Sequence, residues 1–355
     1  MLVKKIFFLV VFISLLSYLL LASSAVSVSS SAPDSLVAAS WNICKPSCST
    51  SGPSWDERRQ RLINTFSYTS ADILGLQEVT NIETSTHKTQ LADVTDMLSP
   101  LGYSYPSFPL TSNECRRPRD ENNQLAGPSP CANTSAIFFK TDRIVQSLLD
   151  TETAGITMIS TIAPVSLPSS GARSVAWAFL EDKLTGTRFL AISLHTSNEK
   201  TTEAELDRTI LGQYLTNWSL AKVASLGFPD APIILMADLN SYDKRQPNGI
   251  QYILTSNSWL DSFSAPTKKN VSYSTVNYSN DSSDRSGFPP KAKKFKKTKK
   301  NPNGYATRID YVMLLGPNIS LIDYETVIFL DSQDFFVKDF QASDHQMVKT
   351  TFTLA

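Results

Sequence analysis

The sequence contains no internal repeat and, beyond its first 25 residues, no uninterrupted apolar stretch long enough to cross a membrane. The absence of a repeat argues against a repeat architecture. The absence of a second apolar stretch predicts that the remaining chain is soluble in an exported compartment. Only four cysteines and three histidines are present, so the positions of these two residue types are informative.

The N-terminus has the composition of a secretory signal peptide. Lys4 and Lys5 precede an apolar run from Ile6 to Ala22 and a serine-rich stretch of small residues. We therefore expect a signal peptide over residues 1–25, a secreted chain, and cleavage that uses the small residues Ala22, Ser24 and Ala25. The run is also close to the shortest membrane-spanning helix, so an uncleaved signal anchor is the alternative.

Cysteine and asparagine positions fit an exported protein. An even set of four cysteines favours disulfides, and proximity predicts the pairs Cys44–Cys48 and Cys115–Cys131. A four-thiolate zinc site is the alternative, but neither pair has the two-residue spacing typical of one. Six Asn-x-Ser/Thr sequons would accept glycans if the producing organism is eukaryotic: Asn133, Asn217, Asn270, Asn277, Asn280 and Asn318.

Charge is balanced over the whole chain, at 33 basic and 33 acidic residues, but it is unevenly distributed. Without residues 1–25 the net charge is −2, and without the block of seven lysines at positions 291–300 the remainder is −9. A block of this density suits a polyanion, such as a nucleic-acid backbone or an anionic membrane surface. A solvated loop without a partner is the alternative. The block consists of Lys291, Lys293, Lys294, Lys296, Lys297, Lys299 and Lys300.

Apolar periodicity predicts strands throughout the chain, with helices inserted singly. Strands are expected over 35–43, 72–79, 135–140, 143–149, 174–180, 188–194, 233–236, 308–315, 319–329 and 346–354. Helices are expected over 55–68, 89–98 and 202–223. Capping boxes at Ser54/Glu57 and Thr202/Glu205 mark the first and last of these helices.

This order of elements predicts one α/β domain over residues 26–355. We expect a four-layered α/β sandwich in which two packed, mainly antiparallel sheets are flanked by helices. Residues 265–304 are rich in Ser, Asn, Lys and Pro and show no apolar period. That composition predicts a disordered insertion.

Polar residues cluster where the predicted strands end, and strand ends hold side chains rigidly while leaving them open to a cleft. Two of the three histidines of the chain fall in these clusters. A further polar pair, Arg308 and Asp310, lies inside a predicted strand. The clusters are Trp41-Asn42, Gln77-Glu78, His195-Thr196, Asp238-Leu239-Asn240 and Ser343-Asp344-His345.

These clusters belong to six short motifs, which in order are SWNI, DILGLQEV, LHT, ADLN, RIDY and SDH. The series resembles that of the endonuclease/exonuclease/phosphatase superfamily, in particular its pancreatic-deoxyribonuclease-like members. The resemblance extends from about Ser40 to His345, with order and spacing kept. Each motif alone is weak, but agreement of all six in order is not expected by chance.

The resemblance implies a metal site at Asn42, Glu78 and Asp344. Carboxylate and amide oxygens are hard ligands that suit Mg²⁺, and Mn²⁺ or Ca²⁺ are alternatives. Taken singly, Glu78 has a simpler interpretation as a buried ion pair, and Asn42 or Asp344 as a residue that orders a strand end. The combination of motifs favours metal binding.

The resemblance also implies catalytic roles for the remaining polar residues of the motifs. Asp310 and His345 suit an orienting carboxylate and a general base that activates water. Asp238 and Asn240, two apart on an extended strand, are expected to face one phosphate from the same side. His195 is expected to stabilise the developing phosphorane charge or to protonate the leaving oxygen, although a single histidine at a strand end is more often structural.

Several positions depart from the family pattern or remain unassigned. Ala237 stands where the family commonly has glycine, and Leu239 replaces a usual aromatic residue. No acidic partner of His195 can be identified from the sequence, and His87 lies outside the motifs. The phosphate-binding arginine that the family places upstream has three candidates, Arg116, Arg117 and Arg119.

The sequence therefore predicts a secreted, monomeric, Mg²⁺-dependent phosphodiesterase. The leading hypothesis is an endonuclease that hydrolyses DNA, with RNA as a further substrate, by in-line attack of water. A sphingomyelinase-like lipid phosphodiesterase uses the same residues and is the main alternative. The non-enzymatic alternative is an inactive scaffold that binds polyanions.

Overall fold

The computed structural model describes residues 34–47, 52–81, 83–86, 88–107, 134–169, 173–243, 245, 249–277 and 287–354. Asp34–Ala355 forms one compact unit. The predicted signal peptide lies outside the described residues, as do Cys48, Cys115 and Cys131. Signal cleavage and the two disulfide pairings therefore stay predictions.

Strands occur along the whole of this unit, with α-helices inserted singly between some of them. The strands are β1 Ser35–Asn42, β2 Ile73–Val79, β3 Tyr103–Ser104, β4 Thr134–Lys140, β5 Ile144–Gln146, β6 Ala154–Met158, β7 Ser174–Asp182, β8 Arg188–His195, β9 Ile233–Asp238, β10 Leu260–Asp261, β11 Thr267–Lys269, β12 Asp310–Leu315, β13 Ile319–Val327 and β14 Met347–Leu354. The α-helices are α1 Trp55–Thr69, α2 Gln90–Leu98, α3 Ile159–Ile162, α4 Thr202–Ser225 and α5 Ile250–Ser256. Short 3₁₀ helices occupy Ser99–Leu101, Ser262–Ser264 and Lys338–Phe340.

The strands form two sheets. The first has the order β11-β13-β14-β1-β2-β4-β3, and the second the order β10-β12-β9-β8-β7-β5, with β6 also paired to β7. Most neighbours are antiparallel, and the parallel pairs are β1/β2, β11/β13 and β8/β9. The mainly antiparallel arrangement expected from the sequence is confirmed.

Three apolar layers separate the sheets and helices. Along β9, alternate residues face opposite ways, so that Leu235 packs under α4 and α5 while Ile234 and Met236 face the other sheet. On the far side, Leu62 and Phe66 of α1 pack against the outer face of the first sheet. The order of layers is helix, sheet, sheet, helix, so the predicted four-layered sandwich is confirmed.

Local sequence signals place two of the helix starts. At α1, the Ser54 side chain accepts from the Glu57 N–H, and the Glu57 carboxylate accepts from the Ser54 N–H, which is the predicted capping box. The second predicted box, Thr202/Glu205, does not form. Thr201, not Thr202, caps α4 by accepting from the Ala204 N–H.

The insertion predicted to be disordered is held by main-chain hydrogen bonds in its described parts, 265–277 and 287–304. Strand β11 pairs with β13, the Phe295 N–H donates to the Ser272 carbonyl, and the Ala306 N–H donates to the Val271 carbonyl. Composition was misleading here because the segment is held by β13 and by hydrogen bonds between its own distant parts, which composition does not reveal.

No helix among the described residues is long and apolar enough to cross a membrane.

Gly75 in β2 allows the two sheets to approach closely. A methyl group added at this position would overlap the Met236 side chain of β9, in the centre of the layer between the sheets. We expect Gly75→Ala to lower the free energy of unfolding by about 1–3 kcal/mol, because the inserted atom forces the sheets apart. Urea unfolding followed by circular dichroism measures this loss. Equal stability of Gly75→Ala and the parent would contradict the close packing.

Candidate active site

The predicted site residues lie at one edge of the two packed sheets. Strands β1 and β2 run parallel, with Asn42 the last residue of β1 and Glu78 the last but one of β2. Strands β8 and β9 also run parallel and end at His195 and Asp238. Asp310 begins β12 directly opposite Asp238. Because the sheets pack face to face with these ends together, residues far apart in the sequence meet in one cluster.

Asn42 connects the two sheets at the centre of the cluster. Its Nδ2 donates to Asp238 Oδ2 at 3.0 Å and lies 3.3 Å from Glu78 Oε1. Its Oδ1 accepts from the Cys44 N–H at 2.9 Å. Glu78 Oε2 accepts from the Lys45 N–H at 3.0 Å, so hydrogen bonds fix both ends of the carboxylate.

Glu78 and Asn240 both have left-handed backbone, with φ of 58° and 46°. At Glu78 the register of β2 with β4 shifts between Leu76 and Val79, and such an irregularity redirects a side chain at the end of a strand. Backbone strain of this kind in non-glycine residues is common at functional sites.

The expectation that Asp238 and Asn240 share one face of an extended strand is wrong. Strand β9 ends at Asp238, and the Asn240 N–H turns back to donate to Asp238 Oδ1 at 3.0 Å. The Asn240 Nδ2 donates to the Thr196 carbonyl at 3.2 Å. The turn arises because an aspartate side chain can accept from the backbone two residues on. This turn, and not an extended strand, places Asn240 beside His195-Thr196.

His345 and Asp310 form a buried pair. Nδ1 of the imidazole lies 3.0 Å from both Asp310 carboxylate oxygens and 3.9 Å from Asp238 Oδ2. Burial lowers the pKa of His345, but the Asp310 and Asp238 carboxylates outweigh it and hold the pKa well above the ordinary histidine value. Burial, together with the neighbouring Asp310, raises the pKa of Asp238 to about 7.

Asp344 lies between the pair and the Glu78 side of the site. Burial raises the pKa of Asp344, the positive charge of His345 partly offsets this, and the negative charge of Glu78 adds to it. Its carbonyl accepts from the Asn277 N–H at 2.8 Å. All eight residues predicted for the site are therefore brought together.

His195 occupies the opposite side of the cluster. Its Nε2 lies 3.3 Å from Asp238 Oδ2, which supplies the acidic neighbour that the sequence did not reveal. Its Nδ1 is buried and has no hydrogen-bond partner among the described residues. Burial and the adjacent Arg173 guanidinium lower the pKa of His195 to about 3, so the imidazole is neutral at pH 7.

Arg173 was missed by the sequence analysis. It directly precedes β7, which pairs with β8 so that Val175 faces Leu194, next to His195. Burial lowers the pKa of Arg173, and the carboxylates of Asp238 and Glu78 act against it. Its Nη1 is buried without a hydrogen-bond partner among the described residues. Counting back along the predicted β7–β8 hairpin would have placed this arginine beside His195.

Arg58 holds the two loops that carry the metal-site candidates. Its buried guanidinium donates to the carbonyls of Ile43, Cys44 and Lys45 on one side and to that of Ala342 on the other, at 2.8–3.2 Å. Burial lowers its pKa to about 10, against the charges of Asp344 and Glu78. The sequence offered no signal for this role, because the partners are main-chain atoms.

Thr275 supports the histidine pair from the insertion. Its Oγ1 accepts from the N–H groups of Ile309 and Asp310 at 3.0 and 3.2 Å, and its carbonyl accepts from the Gln346 N–H at 2.7 Å. The insertion therefore contributes directly to the position of the site.

The donor set fits a hard divalent cation. Asp238, Asp310 and His345 each offer a ligand atom within 4.8 Å of the others. The predicted ligands Asn42, Glu78 and Asp344 lie beside this trio. Several carboxylates of like charge, largely removed from water, are stabilised by a cation with a preference for oxygen ligands.

Other predicted positions lie either outside this cluster or outside the described residues. Arg308 pairs with Asp261 at 2.8 and 3.1 Å and supports β12, outside the cluster. Among the sequons, Asn217 and Asn318 are exposed, whereas the Asn277 carboxamide is engaged in hydrogen bonds. His87, Arg116, Arg117, Arg119, Asn133 and Asn280 lie outside the described residues.

A four-layered sandwich with carboxylates and histidines gathered at one edge is an arrangement typical of hydrolytic phosphoesterases. The sequence matches the Endonuclease/Exonuclease/phosphatase family over residues 39–345. The chain belongs to this family, and the resemblance found in its motifs is confirmed.

Solved structures with this fold come from bacteria and animals. A family member from Bacteroides thetaiotaomicron has 22% sequence identity and a TM-score of 0.60, and the match covers 91% of this chain and 98% of that chain. A mannosyl-6-phosphatase of the same organism has 20% identity and a TM-score of 0.61, over 90% and 100% of the two chains. D. rerio TDP2, complexed with a single-strand DNA product, has 14% identity and a TM-score of 0.52, over 90% and 99%. At these identities the likeness shows the fold. No protein of curated function matches the sequence.

Arg58→Met tests the support of the two loops. We expect a loss of about 3 kcal/mol in the free energy of unfolding, because several buried carbonyls lose their donor while the apolar volume is kept. Arg188→Met is the matched control. Arg188 pairs with Glu181 near the surface, at the start of β8, and its removal should cost at most about 1 kcal/mol. Equal losses in the two variants, measured by urea unfolding, would contradict the role of Arg58.

Proposed function

We propose that this chain is a divalent-metal-dependent phosphodiesterase that hydrolyses nucleic acid, acting as an endonuclease on DNA with RNA as a further substrate. The observation that carries the proposal is the buried His345–Asp310 pair beside Asp238 and the candidate metal ligands. From the sequence, we further propose that the chain is secreted and acts as a monomer.

His345 is the proposed general base. Asp310 is an acceptor for the Nδ1 proton, which leaves Nε2 as the ring nitrogen that takes a proton from the attacking water. The nearby carboxylates keep the pKa of His345 high. A bound divalent cation would offset their charge and bring the pKa of the histidine closer to neutrality.

The remaining residues act on the phosphate. Asn42, Glu78 and Asp344 would hold the metal ion, which supplies Lewis-acid stabilisation of the phosphoryl oxygens. Asp238 orients the attacking water, and Asn240 donates to a nonbridging oxygen. The unpartnered Nη1 donor of Arg173 is available to the charge that develops at phosphorus. Neutral His195 would donate to the same charge in the tautomer that carries its proton on the unpartnered Nδ1. Arg173 is therefore a further candidate for the phosphate-binding arginine, and Arg116, Arg117 and Arg119 stay predictions.

Two observations favour nucleic acid over other phosphoesters. TDP2, which shares the fold, was solved with a DNA product. This chain also carries seven exposed lysines at positions 291–300, whose charges suit a polyanionic backbone. A phosphatase and a lipid phosphodiesterase of the sphingomyelinase type would use the same catalytic residues, so substrate choice needs a direct test.

Purified protein should nick supercoiled plasmid DNA in the presence of Mg²⁺, and excess chelator should abolish the cleavage. Agarose gels measure the conversion of supercoiled to relaxed and linear forms. Sphingomyelin vesicles and a sugar phosphate serve as parallel substrates. Cleavage of either of these without DNA cleavage would contradict the proposal, as would DNA cleavage that persists in chelator.

His345→Ala should lower plasmid cleavage by at least about 10²-fold, because the reaction loses its general base. The far-ultraviolet circular dichroism spectrum should stay that of the parent. Asn318→Ala, at an exposed turn outside the site, is the control and should keep full activity. Full activity of a folded His345→Ala variant would contradict the assignment of the base.

A further inference from the structure

The lysine block is displayed on an ordered part of the chain. We define the lysine arm as residues 287–304. Its main chain is fixed by hydrogen bonds from the Ala292 N–H to the Asp334 carbonyl at 2.9 Å and from the Phe295 N–H to the Ser272 carbonyl at 2.8 Å. The Pro290 carbonyl accepts from the Phe336 N–H at 3.0 Å. The arm therefore presents its side chains from a defined backbone.

The charges of the lysine arm are exposed and poorly compensated. All seven lysines are exposed. Among the described residues, one of them, Lys294, has a carboxylate within 4.0 Å, that of Asp334. Three lysines lie over aromatic rings, with Lys291 5.1 Å from the centroid of Phe335. An ordered cluster of uncompensated cations on an otherwise acidic chain attracts a partner with regularly spaced negative charge.

The lysine arm begins at the active site. An atom added to Gly287 would lie 2.6 Å from Asp344 Cβ, and the φ of Gly287 is +71°, so only glycine fits without strain. Asn277 links Gly287 to the segment that carries Asp344 and His345, since its Nδ2 lies 3.1 Å from both the Gly287 and Ser343 carbonyls. Its Oδ1 accepts from Gln346 Nε2 at 2.6 Å.

This attachment limits how far the lysines can lie from the scissile phosphate. Lys291 follows Gly287 by four residues, which span at most about 14 Å. Phe295 is bonded to Ser272, which precedes Asn277 by five residues, or at most about 18 Å of chain. One turn of a DNA duplex is about 34 Å long. One turn of a duplex cut at the active site is therefore long enough to reach this part of the arm.

We propose that the lysine arm binds the phosphates that flank the scissile bond on one side, and so serves as a docking track for the nucleic-acid backbone. The inference rests on the proposed nuclease function and names the surface that would give it affinity. The lysines act through phosphate contacts, so binding should be insensitive to base sequence and steeply dependent on salt.

Nucleic acid fits the surface better than a membrane. A membrane-binding surface combines basic residues with a substantial apolar face. Beside the lysine arm, the large apolar side chains that are exposed are Phe335 and Val337, at 39% and 37%. These two half-exposed side chains offer little insertion area, whereas the seven cations match the charge density of a duplex.

The test compares Lys296→Gln/Lys297→Gln with Lys140→Gln/Lys183→Gln. The control removes equal charge from the sheet edge opposite the site, where β4 and β7 end. Anisotropy of a fluorescein-labelled DNA duplex, in chelator and at several salt concentrations, measures binding without turnover. The arm variant should weaken binding about tenfold near physiological salt and reduce the slope of log K against log salt by about 2, or about 1 per phosphate contact.

Activity assays separate the two proposals. The ratio of plasmid cleavage to hydrolysis of bis-p-nitrophenyl phosphate should fall about tenfold in the arm variant and stay unchanged in the control. Equal salt slopes for the arm variant and the parent would overturn the inference, as would loss of binding to phosphatidylserine vesicles with DNA binding intact. Hydrolysis of the small diester without plasmid cleavage in the parent would instead refute the nuclease function.

Discussion

The active site depends on the close face-to-face packing of the two sheets. Gly75 allows the approach, and the Gln77 amide spans the interface, 3.2 Å from both the Met236 carbonyl and Ser193 Oγ. These polar links lie one or two residues from Glu78, His195 and Asp238. Because the sheets are locked in this register, strand ends that belong to different sheets form one surface. A small shift between the sheets would separate the two halves of the site.

Gathering carboxylates at that edge carries an electrostatic cost. Asp238 and Asp310 are almost fully buried and lie close together, so burial and the charge of Asp310 make ionisation of Asp238 less favourable. The cost is offset by fixed donors, among them Asn42 and His345, and by the loops that Arg58 holds in place. The same arrangement suits a reaction in which a cation and an anionic phosphate are bound together. Stability and chemistry are thus coupled at one place in the fold.

Much of this architecture follows from local sequence patterns. The strand predicted over 233–236 lies within β9, and the capping box at Ser54 is found where it was predicted, since the causes of both lie within a few residues. The short strands β6, β10 and β11 were not predicted, because their stability comes from pairing with distant strands. The turn at Asn240 and the ordered lysine arm were misjudged for a similar reason. Both are set by hydrogen bonds to partners that a linear pattern does not identify.

The sequence by itself determined the chemistry available to this protein. The residue types in its six motifs, their order and their positions at strand ends already indicated the family and predicted eight site residues, which the fold brings to one edge. Only the tertiary structure decided which further groups join them. Arg173, Arg58 and Thr275 belong to no recognisable motif, and they matter because the packed sheets bring them against the motif residues. The attachment of the lysine arm at Gly287 was likewise decided by the tertiary structure. Gly287 contacts Asp344, 57 residues further on, and a local sequence pattern does not predict a contact over that separation.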